Sequence, residues 1–156
     1  MTRKFTKENL QNIVIGLDFD GTCVSHEFPF IGKDIGAVSV LKRLIKEYNV
    51  KFILNTVRDN KYLDEAAKWC KDNDIPLYGL NINPEQKEFS ESPKVHADMF
   101  IDDLSLGIPV IYPDNDITKK PHVDWREVEK LLFDNVQDIN EDLKFIVNMT
   151  RRKMGM

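Results

Sequence analysis

The chain has 156 residues, 42% of them hydrophobic and 31% charged, with a formal net charge of −4. Those values describe one soluble globular domain over 1–156, large enough to build a continuous core without disulfides. They count against a generally nucleic-acid-binding surface and, since no apolar stretch is long enough, against a membrane span.

Residues 1–12 are polar and read as a frayed lead-in. Residues 13–17 (Ile-Val-Ile-Gly-Leu) have the near-continuous apolar character of a strand covered on both faces. They run directly into Asp18-Phe-Asp-Gly-Thr22. Two glycines, a proline and two aromatics between Cys23 and Gly36 predict a loop, with 28–31 placed to act as a flap over the acids. Ala37, Val38, Leu41, Leu44, Ile45 and Tyr48 recur at helical spacing, and Asn49 is the expected stop.

A second strand over 50–54 ends at Asn55-Thr-Val-Arg58. Leu63, Ala66, Ala67 and Cys70 mark a second helix, capped by Asp59 or Asn60 and ending before Asn73. A third strand is expected over 77–80, then a polar connection over 81–93 with one helical turn. A fourth strand over 97–101 ends on Asp102-Asp103. A fifth, over 108–112, belongs at a sheet edge because of Pro109.

Asp124 and Glu127 make a capping-box-like helix start. Val128, Leu131, Leu132, Val136, Ile139, Leu143, Ile146 and Val147 continue to about Met149. Strands alternating with helices over short connections imply an α/β fold with a doubly wound, parallel, five-stranded sheet. Its core would occupy about 13–112 and its C-terminal helices about 124–149. Cys23 and Cys70 form no metal-finger or disulfide pattern, and the charged N-terminus lacks an export sequence, so the expected setting is cytoplasmic.

Ligands gather at the carboxyl ends of parallel strands. Strand one delivers Asp18 and Asp20 there, strand two Thr56, and strand four Asp102 and Asp103, with Lys94 just ahead of it. Asp18 and Asp20 share a strand face. Like charges at the end of an apolar strand need a cation, and an all-oxygen donor set favours Mg2+.

In this order the residues resemble the four motifs of the haloacid dehalogenase superfamily: Asp-x-Asp, Thr, Lys and an acidic pair. The resemblance covers residues 13 to about 112. It implies an Mg2+-dependent phosphatase with Asp18 as nucleophile and Asp20 as general acid/base. Mg2+ would bind Asp18, the carbonyl of Asp20, Asp102 and Asp103, with the direct contact within that acidic pair left open. Thr56 would hydrogen-bond a phosphoryl oxygen and Lys94, in competition with Lys87, would neutralise charge. Gly21 and Thr22 would flank the substrate. Arg58 either binds substrate or pairs with an acid. His26, His96 and His122 lack ligand spacing and read as structural or surface residues.

The intervals between motifs leave no room for a folded cap domain, so the resemblance is to capless members. The partner implied is a small phosphorylated substrate or a phosphorylated polymer end, with a homo-oligomer open. Phosphoryl transfer is the alternative within the family. A receiver-like signalling domain also combines acids, Thr and Lys around Mg2+, but with its acidic pair on the first strand. A catalytically silent interaction domain is the third alternative.

Overall fold

In the computed structural model, which describes residues 3–134 and 139–155, the strand β1 (Val14–Leu17) lies inside a four-stranded parallel sheet. It pairs with β2 (Lys51–Leu54) on one side and β4 (Met99–Ile101) on the other, and β3 (Leu77–Leu80) pairs outside β2. The order is β3-β2-β1-β4. Between β1 and β2 runs α2 (Ala37–Tyr48), and between β2 and β3 runs α3 (Asn60–Asp72). The α/β class and the parallel sheet agree with the sequence reading.

Alternation sorts the sheet residues. Ile15, Leu17, Phe52, Leu54 and Ile101 join one buried cluster with Leu41 and Leu44 of α2 and Ala66 and Cys70 of α3. The amphipathic helix α4 (Trp125–Phe133) adds Val128 and Leu132 to the same cluster. Truncating such a core side chain to Ala costs about 2–5 kcal/mol. On the opposite face, Phe100 lies so close over Gly16 that a Cβ there would stand 2.5 Å from the ring. On that side the 81–98 connection lies close against Gly79 through Ile82 and Pro84. The connection carries a single 3-10 turn, Gln86–Glu88, in place of a helix.

Asn49 ends α2 in the left-handed conformation, φ 51°, with its N–H returning to Ile45 O and Leu44 O nearby. Asp59 stands at the N-cap of α3, though its side chain makes no capping hydrogen bond.

Three expectations are corrected. The lead-in carries a helix: Thr6 and Asn9 form a reciprocal capping box around the short α1 (Lys7–Leu10), and Phe5 and Leu10 are seated in the core. The fifth strand leaves the parallel sheet. As β5 (Val110–Ile111) it pairs antiparallel with β6 (His122–Val123), so the parallel sheet has four strands. Finally, the C-terminal helix is two helices: α4 stops at Phe133 and α5 spans Ile139–Lys153. Phe145, Ile146 and Val147 of α5 are exposed, while Val136 lies outside the described residues. Among the described residues, no helix is long and apolar enough to cross a membrane.

Candidate active site

Because β1 and β4 are adjacent and parallel, the residues that follow them leave the sheet side by side. Asp18 extends β1, its N–H donating to Ile101 O at 3.0 Å. Asp102 and Asp103 extend β4. One oxygen from each of these three carboxylates lies within 4.8 Å of the others. Burial pushes the Asp18 carboxyl up from its usual 3.8 to about 8. The Thr22 hydroxyl works against that rise, and the proximity of Asp103 and Asp102 adds to it. Such a cluster is short of positive charge. Its donors are hard oxygens on converging strand ends, the set suited to a cation of the Mg2+ type.

The turn after β1 is built to hold these acids. Gly21 has φ +76°, and a Cβ there would stand 2.7 Å from Asp103 Oδ2 and run into the His26 imidazole. The fully buried Thr22 donates its hydroxyl to Asp18 Oδ2 at 2.7 Å and accepts the Asp103 N–H at 3.0 Å. One side chain thereby ties the end of β1 to the end of β4. Thr22 touches the acids rather than the open cavity.

The 21–26 turn is also braced from far along the chain. Val123 N–H donates to Gly21 O at 2.8 Å, and Trp125 Nε1 donates to Thr22 O at 2.7 Å. His26 Nε2 lies 2.9 Å from Pro121 O and 3.3 Å from Asp103 Oδ2. Both are acceptors, so Nε2 carries the proton. His26 is therefore part of the wall, which its isolated position in the sequence did not signal.

A cavity of about 490 Å³ opens over the cluster, lined by Asp18, Asp20, Thr56, Asp102, Asp103 and, among others, His26, Asn55 and Lys120. A larger hollow of about 620 Å³ between α3 and β3 gathers a single acid, Asp74, and no reactive group. Size is therefore a poor guide here; the acidic side chains gather in the smaller cavity.

Thr56 donates its N–H to Asn81 Oδ1 at 2.8 Å, and its Oγ1 accepts the Arg58 N–H at 3.1 Å. Its hydroxyl hydrogen is what it can offer a ligand. Arg58, left between two roles by the sequence, pairs with an acid: Nε and Nη2 reach Asp20 Oδ2 and Oδ1, each at 2.7 Å. The side chain of Asp20 is thus engaged outside the three-carboxylate cluster.

Lys94 is not brought into this cavity. It lines an adjoining one with Pro93, Val95 and Phe100, and the two share Asn55 as a common wall. Lys87 faces a third. The 81–98 connection fixes this path, because Gln86 donates from Nε2 to Lys94 O at 2.7 Å and accepts the His96 N–H at 2.8 Å through Oε1. The lysine that lines the cavity is Lys120, from the polar stretch before β6. Nothing in its local sequence distinguishes it. Asn55 could have been found, since it stands between the end of β2 and Thr56.

No protein-family model and no curated protein matches this chain. A solved structure does: that of a conserved protein from Bacteroides thetaiotaomicron, 35% identical, aligned over 77% of this chain and 88% of the other with a TM-score of 0.61. At that identity and coverage the likeness extends beyond shared architecture, and the chain belongs to the same family as this conserved Bacteroides protein.

Proposed function

We propose that the protein is an Mg2+-dependent phosphomonoester hydrolase of the haloacid dehalogenase type, without a cap domain. The observation that carries the reading is the meeting of Asp18, Asp102 and Asp103 within 4.8 Å, in a cavity that also presents Asp20 and Thr56. Asp18 attacks phosphorus, and the bond from its carboxylate oxygen to phosphorus forms as the bond to the leaving oxygen breaks. Asp20 takes up a proton from solvent on a lone pair that Arg58 leaves free, hands it to that oxygen as the bond breaks, and later takes one from the water that hydrolyses the aspartyl-phosphate. Thr56 donates its hydroxyl to a phosphoryl oxygen. Asp18, Asp102 and Asp103 are the residues that would hold Mg2+, and the ion, when bound, screens the anionic nucleophile from the anionic phosphate.

The intervals between the motifs leave no room for a folded cap, so the substrate class is a small phosphate ester or the phosphorylated end of a larger molecule. The test is hydrolysis of p-nitrophenyl phosphate by wild type and Asp18→Asn, each with Mg2+ or EDTA. Turnover that needs both the metal and Asp18 supports the reading. Turnover retained in Asp18→Asn, or unaffected by EDTA, overturns the mechanism. A folded, Mg2+-supplied wild type that cleaves neither this ester nor a panel of phosphometabolites overturns the function.

A further inference from the structure

Arg58 is a cation that the fold takes almost wholly out of water, its side chain 1% exposed. Such burial is costly unless the guanidinium N–H groups find acceptors. Besides the two bonds to Asp20, Nη2 donates to Phe30 O at 2.9 Å and Nη1 to Pro29 O at 3.4 Å. The rings of Phe19 and Phe28 lie 5.1 and 5.0 Å from the guanidinium carbon. Phe28 in turn meets Tyr62 of α3 edge-on, with ring centroids 5.2 Å apart. A single side chain therefore joins the second carboxylate of the turn, the 28–30 loop and the start of α3.

We propose that Arg58 is the positioning residue of Asp20, and that it fastens the 28–30 loop to that carboxylate so that the two are aligned as one unit. The kinetic half of this inference rests on the phosphatase reading. A carboxylate offers about four lone-pair sites, and the side-on pair with Arg58 uses one on each oxygen, leaving the others for proton exchange. In the step concerned, phosphorus gains the Asp18 oxygen and loses the leaving oxygen, which receives the proton from Asp20. Proton donation matters most when the leaving oxygen is an alkoxide. A nitrophenolate departs without needing it. Misplacing Asp20 should therefore harm alkyl esters selectively, whereas losing a substrate-binding arginine would harm every ester alike.

The experiment compares wild type, Arg58→Lys, Asp20→Asn and the double variant on β-glycerol phosphate and p-nitrophenyl phosphate. Amide hydrogen exchange at Phe30, whose N–H donates to Glu27 O at 2.9 Å, is followed in wild type and Arg58→Lys. A lysine keeps the charge but cannot make the paired contact. In Arg58→Lys, kcat on the alkyl ester should fall about 100-fold, in keeping with the contribution of a positioned acid, against less than about tenfold on the aryl ester, with KM little changed. In the Asp20→Asn background the same substitution should add no further loss. Exchange at Phe30 should quicken at least about tenfold as the loop is released.

Equal losses on both esters with a raised KM, additive losses in the double variant, or unchanged exchange would overturn the proposal. Should Arg58→Lys fail to fold, Phe28→Leu, at an exposed side chain, loosens the guanidinium's packing and reads the same contrast and the same exchange at lower amplitude. Wild type inert on both esters would strike the phosphatase reading, while the exchange measurement still decides whether Arg58 holds the loop.

Discussion

The proton affinity of Asp18 leads to a measurable dependence of stability on pH. Its carboxyl is held at about 8 in the folded protein, first by burial, with Asp103 and Asp102 adding to the rise against the Thr22 hydrogen bond. In the unfolded chain it returns to its usual 3.8. Between those values the folded state binds a proton that the unfolded state has released, so this group's contribution to stability falls as pH rises and levels off above about 8. Each tenfold difference in proton affinity is worth about 1.36 kcal/mol. The interval sets a ceiling of about 6 kcal/mol, reduced in practice because the cavity is open to water and counter-ions.

Asp18→Asn is locked in the neutral form and removes this dependence. Urea denaturation in EDTA at pH 5, 6, 7 and 8 should show the variant gaining on wild type by up to about 1.4 kcal/mol per pH unit. Adding Mg2+ at pH 8 should recover most of the difference for wild type and little for the variant. A gap between the two proteins that stays constant with pH would refute the assignment of the raised proton affinity to Asp18. A wild type no more stabilised by Mg2+ than Asp18→Asn would refute the cation site.

Gly21→Ala should cost at least the roughly 1–2 kcal/mol of a left-handed backbone, and more because its Cβ meets His26 and Asp103. Gly107→Ala, also left-handed but with open space around it, should lose only the backbone part in the same urea titration and keep its activity. Lys120→Ala should raise KM for p-nitrophenyl phosphate about tenfold, the lower end of what a charged hydrogen bond contributes, and Lys94→Ala should raise it less. The reverse order would place Lys94 at the phosphate. Burial lifts the Cys23 thiol well above its usual 9 and pushes Cys70 up to about 12. The native protein should leave Ellman's reagent unreacted, with both thiols titrating only after denaturation.

What could be read from the sequence follows the range of the forces involved. The boundaries of α2 are local matters of periodicity and a left-handed Asn, and Ala37–Tyr48 is where the pattern places it. The three acids converge because β4 lies parallel beside β1, so both strands end at the same rim. The 108–112 segment went astray because an apolar run specifies burial without naming its partner. Its mate, His122–Val123, is two residues long and carries no strand signal. The lysine assignment rested on order along the chain, whereas the cavity wall is set by the fold of the β3–β4 connection. The Arg58–Asp20 pair spans 38 positions. Sequence could offer both partners there without choosing between them.

The three bonds that brace the 21–26 turn from 121–125 also bear on how the protein is made. A nascent chain that has emerged only through β4 already carries Asp18, Asp20, Thr56, Asp102 and Asp103, together with the strands that align them. It still lacks the carbonyl of Pro121, the N–H of Val123 and the indole of Trp125, partners that lie 95 to 103 residues downstream of His26, Gly21 and Thr22. Contacts of such long sequence separation are paid for late in folding. The sheet can therefore assemble during synthesis while the turn that follows Asp18 stays loose. That turn is fixed late, when the 121–125 segment docks and draws it taut.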